Sequence, residues 1–304
     1  MKKRQKAQFR YYEMAEREVV LALMGEEWIR EYGKDIDELH FHNYLEVGIC
    51  YDGEGEVVLG EEVYAFQKGD LIIIPPYFLH TTNSIKGTVA YWEWFYFDVE
   101  SMIQSIQVKH STEFNDIKQR IYRNAHYIKD KKYETLKKLI EHIREECLKK
   151  QYLYEESVKG LATSFLIEIM RLNDGEKERF ESNILIYQAI QYVEEHFGQV
   201  IYISDLANAC NMSESHFRKV FEHSMNMKPL DFIHLVRIQK ACHLMQWTEK
   251  SMKDIAYQSG FDTLSTFNRN FRRMLGTTPY QWKKSAQNYQ GKLKECRISA
   301  YKGW

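Results

Sequence analysis

The spacing of apolar positions changes character along this chain. From about residue 37 to 98 they come in short runs rich in β-branched and aromatic residues, as in EVVLGEEVYAF, GDLIIIP and YWEWFYFD. Turn signals such as Asp52-Gly53 and Lys68-Gly69-Asp70 separate the runs. Short strands at even spacing predict an antiparallel barrel or sandwich. From about Glu113 to Leu172 the spacing becomes helical. Leu136, Leu139, Ile140 and Ile143 make one apolar stripe, and Val158, Leu161, Ala162, Phe165, Leu166, Ile169 and Met170 another, each suited to packing on a neighbouring helix, the β-zone or a second subunit. Asn173-Asp174-Gly175-Glu176 reads as a helix stop and linker. Ile184 to about Ser285 is helical throughout.

That last zone repeats itself. SDLANACNMSESHFRKVFEHSMNMKPLDFI aligns with KDIAYQSGFDTLSTFNRNFRRMLGTTPYQW, so that Asp205-Leu206-Ala207 falls on Asp254-Ile255-Ala256, Phe217 and Phe221 on Phe267 and Phe271, and Pro229 on Pro279. The offset grows from 49 to 50 across the turn, so the second copy carries one extra turn residue. Each copy reads as a short helix, a turn and a longer helix. In the second, Gly260 ends the short helix, Phe261 fills the core at the turn, and Thr263 or Asp262 caps a helix running through Met274. Its Phe267, Phe271 and Met274 share one face, while Leu264, Ser265, Asn268, Arg269 and Arg272 lie largely on another. The first copy places Phe217, Val220 and Phe221 inside, with Ser213, Glu214, Ser215, Arg218 and Lys219 outside. Hydrogen-bonding side chains on the N-terminal half of a helix suit base edges in a major groove. A solvated helix face has the same look, and it is the duplication that favours recognition.

Charge supports an anionic partner. The chain of 304 residues has a formal net charge of only −1. From Asn183 to Trp304, however, it carries 16 Lys/Arg against 10 Asp/Glu, and the remainder carries 26 against 33. The length suits two cores. The five cysteines, Cys50, Cys147, Cys210, Cys242 and Cys296, are scattered with no CxxC pair, which argues against a zinc ribbon or a secreted disulfide framework. No apolar run reaches 18 residues and the basic start lacks an export signal, so a cytoplasmic protein with no membrane partner is expected.

The stretch IAYQSGFDTLSTFNRNFRRMLGTTPYQW resembles the signature of the AraC/XylS transcription regulators, and Arg237, Ala241 and Leu244 fit that family's connecting helix. The resemblance covers roughly the last 100 residues. It implies two helix-turn-helix motifs entering successive major grooves of double-stranded DNA, at about 203–224 and 252–275, joined by a linker helix at about 229–246. Carried onto this chain, the base-facing positions are Ser215, Arg218 and Lys219, then Ser265, Asn268 and Arg269. Thr263 and Arg272 suit phosphates, and Ser213 lies beside them. Leu264 is apolar where a polar reader is common. The family also implies contact with RNA polymerase and, more often than repression, activation.

The β-zone carries its own chemistry. His40-Phe-His42, Glu46 and Gly53, followed by Gly69-Asp70-Leu-Ile-Ile-Ile-Pro75 and His80, resemble the two motifs of the cupin barrel, whose enzymes bind a divalent metal with such residues. His40 and His42, two apart on a strand, point to one face, and Glu46 shares it if the strand stays regular. The second motif departs from the pattern, with Tyr77 where glycine is usual and Asn83 one residue early. Regulators of this type use the barrel to bind an effector, frequently a sugar. Trp92, Trp94 and Tyr96, alternating onto one strand face, suit sugar stacking or plain core. His40, His42, Glu46 and His80 are therefore expected to line an effector site, with no resident metal or other cofactor; were a divalent metal bound, the same four would hold it.

The expected architecture is α+β: a cupin-like antiparallel barrel at 1–105, a helical connector at 106–180 that dimerises the chain, and an all-α DNA-binding domain at 181–304. The expected function is a ligand-responsive, sequence-specific transcription regulator. Its rivals are a cupin metalloenzyme, such as a dioxygenase or isomerase with a structural helical tail, and a DNA-binding protein whose barrel only dimerises. An enzyme would have no use for the tandem repeat.

Overall fold

A computed structural model describes residues 8–12, 14, 17–33, 39–105, 111–129, 133–175, 181–289 and 298–302. The chain divides into two compact units, Tyr12–Phe180 and Glu181–Trp304 with Met1–Tyr11. No helix among the described residues is long and apolar enough to cross a membrane.

In chain order the strands are β1 (Gln8–Tyr12), β2 (Val20–Leu23), β3 (Ile29–Arg30), β4 (His40–His42), β5 (Leu45–Asp52), β6 (Gly55–Leu59), β7 (Glu62–Phe66), β8 (Leu71–Ile74), β9 (His80–Ser84), β10 (Ala90–Phe97), β11 (His126–Ile128) and β12 (Ile298–Lys302). Within the N-terminal unit, one antiparallel ladder runs β4-β9-β6-β7 and the other β11-β8-β5-β10-β2, with β3 also pairing β10. Strand period decides what each face buries. On β10, Trp92, Trp94 and Tyr96 turn towards the other ladder, where Phe66 and His42 meet them. Phe95 and Phe97 turn the opposite way, into an apolar layer with Val47, Ile73 and the helices. Gly48 is required by this packing, because a Cβ there would lie 2.5 Å from the Trp94 ring.

The helices of this unit are α1 (Val99–Ser105), α2 (Ser111–Tyr122), α3 (Glu134–Lys149) and α4 (Tyr154–Gly175). Leu136, Ile140 and Ile143 of α3 and Val158, Ala162, Phe165 and Ile169 of α4 are buried in the same core as the second sheet, with Phe165 stacked on Phe97 at 5.3 Å. Burying such side chains stabilises by roughly 1.5–3 kcal/mol each, so the stripes of this region serve the unit's own core. Glu93 is buried on that side too, and Arg144 of α3 grips its carboxylate at 2.5 and 3.2 Å.

Three local features depart from the sequence reading. The strand carrying His40 and His42 does not continue to Glu46. The chain bends at Asn43-Tyr44 and changes ladder, and Asn43 locks the bend by exchanging hydrogen bonds with the backbone of Tyr12 at 2.9 and 3.0 Å. Inside the expected helical zone, β11 adds a strand to β8. Asn173 is no linker residue. It is fully buried in α4, donating to the Arg120 and Ile121 carbonyls at the end of α2 and meeting His126 Nε2 at 2.8 Å; the Glu176 of the expected linker lies outside the described residues.

The C-terminal unit contains α5 (Glu181–His196), α6 (Ile203–Ala209), α7 (Glu214–Met225), α8 (Pro229–Trp247), α9 (Met252–Gln258), α10 (Leu264–Leu275) and α11 (Pro279–Tyr289). The two helix-turn-helix copies are α6–α7 and α9–α10, and α8 joins them. The turns superimpose through their hydrogen bonds: Met212 N–H donates to Ala207 O at 2.9 Å, and Phe261 N–H to Ala256 O at 3.0 Å. The caps follow as Ser213 and Thr263, so the extra residue of the second copy is Asp262. Gly260 takes φ +86°, and a Cβ there would overlap the Phe197 carbonyl oxygen. Asn211 takes the matching left-handed position at φ 54°. Arg237 of α8 secures this corner by donating to the Phe197 and Gln199 carbonyls at 2.9 and 2.7 Å.

Candidate functional site

The N-terminal unit gathers its histidines around one carboxylate. His40 of β4 pairs directly with His80 of β9, and their rings lie 4.1 Å apart. Glu46 reaches them from the other ladder. Its Oε2 is 3.0 Å from His42 Nε2 and its Oε1 is 3.5 Å from His80 Nε2. All four residues are buried, with Glu46 only 2% exposed. The bend at Asn43-Tyr44 is what turns Glu46 to face the histidines; a regular strand would have placed it differently. Tyr77, at φ 62°, takes a conformation that favours glycine and donates its N–H to His42 O.

The hydrogen bonds assign the ring nitrogens. His42 Nδ1 lies 2.8 Å from Tyr44 O and His80 Nδ1 lies 2.8 Å from Phe78 O. A carbonyl only accepts, so each Nδ1 carries the proton, and each Nε2 turns its lone pair or a second proton towards Glu46. Burial works against charge on Glu46, yet the facing His42 and His80 outweigh it and hold the carboxyl well below the usual carboxylate range. Burial also pushes His42 down, against protonation. A buried carboxylate with imidazole nitrogens at 3.0 and 3.5 Å is a place where a cation could be held. One ligand atom each from His40, Glu46 and His80 falls within 4.8 Å of the others. This nitrogen and oxygen set, with the His80 Nδ1–H tied to a carbonyl, fits a divalent transition metal.

An aromatic wall adjoins the cluster. Trp92 and Trp94 stack at 5.0 Å, Phe66 meets Trp92 edge-on, and Tyr96 stacks on Tyr12 at 3.8 Å while presenting its ring to His42. Tyr96 donates to the Tyr12 hydroxyl at 2.8 Å, and burial, then Glu46, raises its hydroxyl well above the ordinary range. Trp94 Nε1 reaches Tyr32 Oη at 3.4 Å, whereas the buried Trp92 Nε1 meets no acceptor among the described residues. The seven residues expected at an effector site thus lie on facing sheet surfaces. Tyr12, Tyr32 and Phe66 join them, and nothing in their spacing marked them; the fixing of Tyr12 by Asn43 is visible only in three dimensions.

In the C-terminal unit the ten expected DNA-facing residues are all exposed. Ser213 and Thr263 act as helix caps, accepting from His216 N at 3.4 Å and Thr266 N at 3.1 Å. Behind Ser265, Asn268, Arg269 and Arg272 of α10, Phe267, Phe271 and Met274 are buried. Phe217 and Phe221 do the same behind Ser215, Arg218 and Lys219 of α7. Leu264 is 39% exposed. Arg218 pairs with Glu214 at 2.6 Å, whereas Arg269 and Arg272 meet no carboxylate among the described residues.

Residues 29–189 match the family described as AraC-like ligand binding domain, and residues 206–285 match Helix-turn-helix domain. An uncharacterized HTH-type transcriptional regulator of Staphylococcus aureus is 24% identical over 243 residues, covering 79% of this chain and 31% of its own length; the chain therefore spans about a third of that relative. The uncharacterized HTH-type transcriptional regulator YdeC of Bacillus subtilis is 22% identical, covering 81% of this chain and 86% of its own. Among solved structures, unsaturated fatty acid bound ToxT of Vibrio cholerae aligns over 92% of this chain and 93% of its own, at 13% identity and a TM-score of 0.42.

Proposed function

The chain belongs to the AraC family of transcription regulators, and on that premise we propose that it binds double-stranded DNA sequence-specifically through two helix-turn-helix motifs under the control of a small-molecule effector. The observation that carries this reading is the duplicated motif, with polar and cationic residues outward on both long helices and paired phenylalanines inward. The family is one of regulators, not of enzymes. The finer assignments are part of the proposal. They are a sugar effector, activation through RNA polymerase, a homodimer and a cytoplasmic location. Aromatic rings beside buried polar atoms suit a sugar, which offers both apolar faces and hydroxyls. Leu148, Tyr152 and Leu153 remain exposed where α3 turns into α4 and suit a dimer contact; a chain that sediments as a monomer with and without DNA would remove that part.

Effector binding to one conformation of the N-terminal unit would bias the conformations in which two DNA-binding units reach two half-sites. Thermal melting against a panel of hexoses and pentoses tests the sensor, since a true effector stabilises by mass action. A panel without any shift contradicts the sugar assignment. Glu46→Gln should abolish the shift that wild type shows.

A second reading rests on the nitrogen assignments. His80 ties its Nδ1–H to the Phe78 carbonyl and leaves Nε2 free to ligate, and together with His40 and Glu46 it would hold a divalent metal. Such a metal would polarise an effector oxygen as a Lewis acid. Elemental analysis of purified protein decides it: stoichiometric metal in wild type and none in Glu46→Gln supports this reading, and equal trace metal in both removes it.

A further inference from the structure

The two long helices are not electrostatically equivalent. Beyond the turn the copies match at an offset of 50, which places Glu214 on Leu264, Arg218 on Asn268, Lys219 on Arg269 and Glu222 on Arg272. Helix α10 therefore carries three arginines and no acidic residue, while α7 carries two basic and two acidic residues. Arg273 is tied to Asp231 at 3.1 Å, leaving Arg269 and Arg272 to face a polyanion. On α7 the one arginine is already engaged: Arg218 Nη2 and Nε lie 2.6 and 3.1 Å from Glu214 Oε1, with both side chains 47% exposed.

An exposed pair four residues apart is weak, and the order glutamate then arginine is the favourable one. Glu214 also sits in the first turn, where a negative charge suits the helix dipole. A helix-stabilising role would account for the residue if it stood alone. Its position argues for more. Glu214 lies one residue beyond the cap, in the part of a reader helix that approaches base edges, and there it places a negative charge against phosphates. A phosphate can also take the guanidinium fork with two oxygens, but to reach Arg218 it must approach the negative charge of Glu214, whereas a base edge carries no net charge. A guanine offers O6 and N7 together, the bidentate arrangement that a guanidinium fork matches.

Resting on the DNA-binding reading above, we propose that Glu214 is a selectivity residue of the first motif. It disfavours phosphates at Arg218 and leaves it for a matching base pair, so that α7 adds discrimination with less backbone affinity than α10, whose first turn carries no acidic residue. No bond is made or broken beyond this exchange of hydrogen-bond partners.

Selection of duplexes from a random pool tests this with full-length wild type, Glu214→Gln and Arg218→Gln, alongside binding of each to random duplex across a salt series. Wild type should select a motif with a G·C pair in one half, and Arg218→Gln should lose preference at that pair. Glu214→Gln should relax the same pair and no other, bind random duplex several-fold more tightly, and steepen its salt dependence by about one phosphate equivalent. A Glu214→Gln motif and random affinity identical to wild type would overturn the proposal, as would relaxation spread evenly over both halves of the site. Matching melting curves for the three proteins would exclude a folding effect as the source of any change. Should wild type itself select no motif, the DNA-reading assignment fails with it; a wild-type motif that Glu214→Gln leaves untouched removes only the selectivity role.

Discussion

The two candidate sites place their polar groups on opposite sides of the burial divide. In the N-terminal unit His42, Glu46 and His80 are almost wholly buried, with the Glu46 carboxylate 3.0 and 3.5 Å from the two imidazoles. In the C-terminal unit Ser265, Asn268, Arg269 and Arg272 lie in solvent, which satisfies them at no cost. Burying polar groups is expensive, so a buried cluster converging on one carboxylate marks a site. An exposed polar face demands nothing, and its meaning rests on repetition: the same outward pattern appears on α7 and α10, each backed by two buried phenylalanines. Burial argues for function in one unit and symmetry argues for it in the other.

Three outcomes bear on that contrast. The largest concerns the back of the reader helix against its front. Phe267→Ala empties a fully buried site and should destabilise the C-terminal unit by about 3–5 kcal/mol in denaturant titration. Asn268→Ala, one residue away on the exposed face, should change stability by less than about 0.5 kcal/mol while weakening binding to the selected sequence. Comparable stability losses in the two would mean that the outward face is packed, not presented.

Next comes the turn. Gly260→Ala forces a Cβ into the Phe197 carbonyl at a left-handed backbone and should cost about 1–3 kcal/mol, measured by the same titration. Asn211→Gly, at the matching position of the first copy, should be close to neutral, since its left-handed conformation suits glycine. Equal losses would show that the two turns are not equivalent.

The third is a pH dependence at His234 of α8. Burial, followed by Arg237, Arg273 and Arg269, pushes His234 down to about 4. The unfolded chain then takes up the proton first as pH falls. Stability from this group is complete above about pH 6.5, declines between there and about 4, and declines no further below. His234→Phe should flatten that slope; an unchanged slope would place the titrating group elsewhere.

Much of this was legible in the sequence, and the gaps have physical causes. Apolar period alone located α3, α4 and both helix-turn-helix copies, because their buried residues recur every three or four positions. The 49-to-50 offset announced an extra turn residue, and the backbone hydrogen bonds of Met212 and Phe261 identify it as Asp262. The convergence of the histidines and Glu46 was expected from strand period. It arises instead from a bend at Asn43-Tyr44, which no alternation pattern encodes, because its lock is a contact with Tyr12 from 31 residues away. Asn173 looked like a linker because Asn-Asp-Gly composition favours helix ends. Its amide is spent on the end of α2, a tertiary role that overrides local preference. The short strand β11 escaped notice because three residues cannot show a period.

Helix α10 is proposed to read base sequence, and two of its arginines separate reading from mere binding. Wild type, Arg269→Ala and Arg272→Ala would be titrated by gel shift against the DNA upstream of the chain's own gene and against a random duplex. Arg269→Ala should lose about 1–3 kcal/mol on the specific site and little on the random one, while Arg272→Ala should weaken both alike. If Arg269→Ala keeps the wild-type ratio of specific to random binding, α10 is not the reader and the account is wrong at its centre.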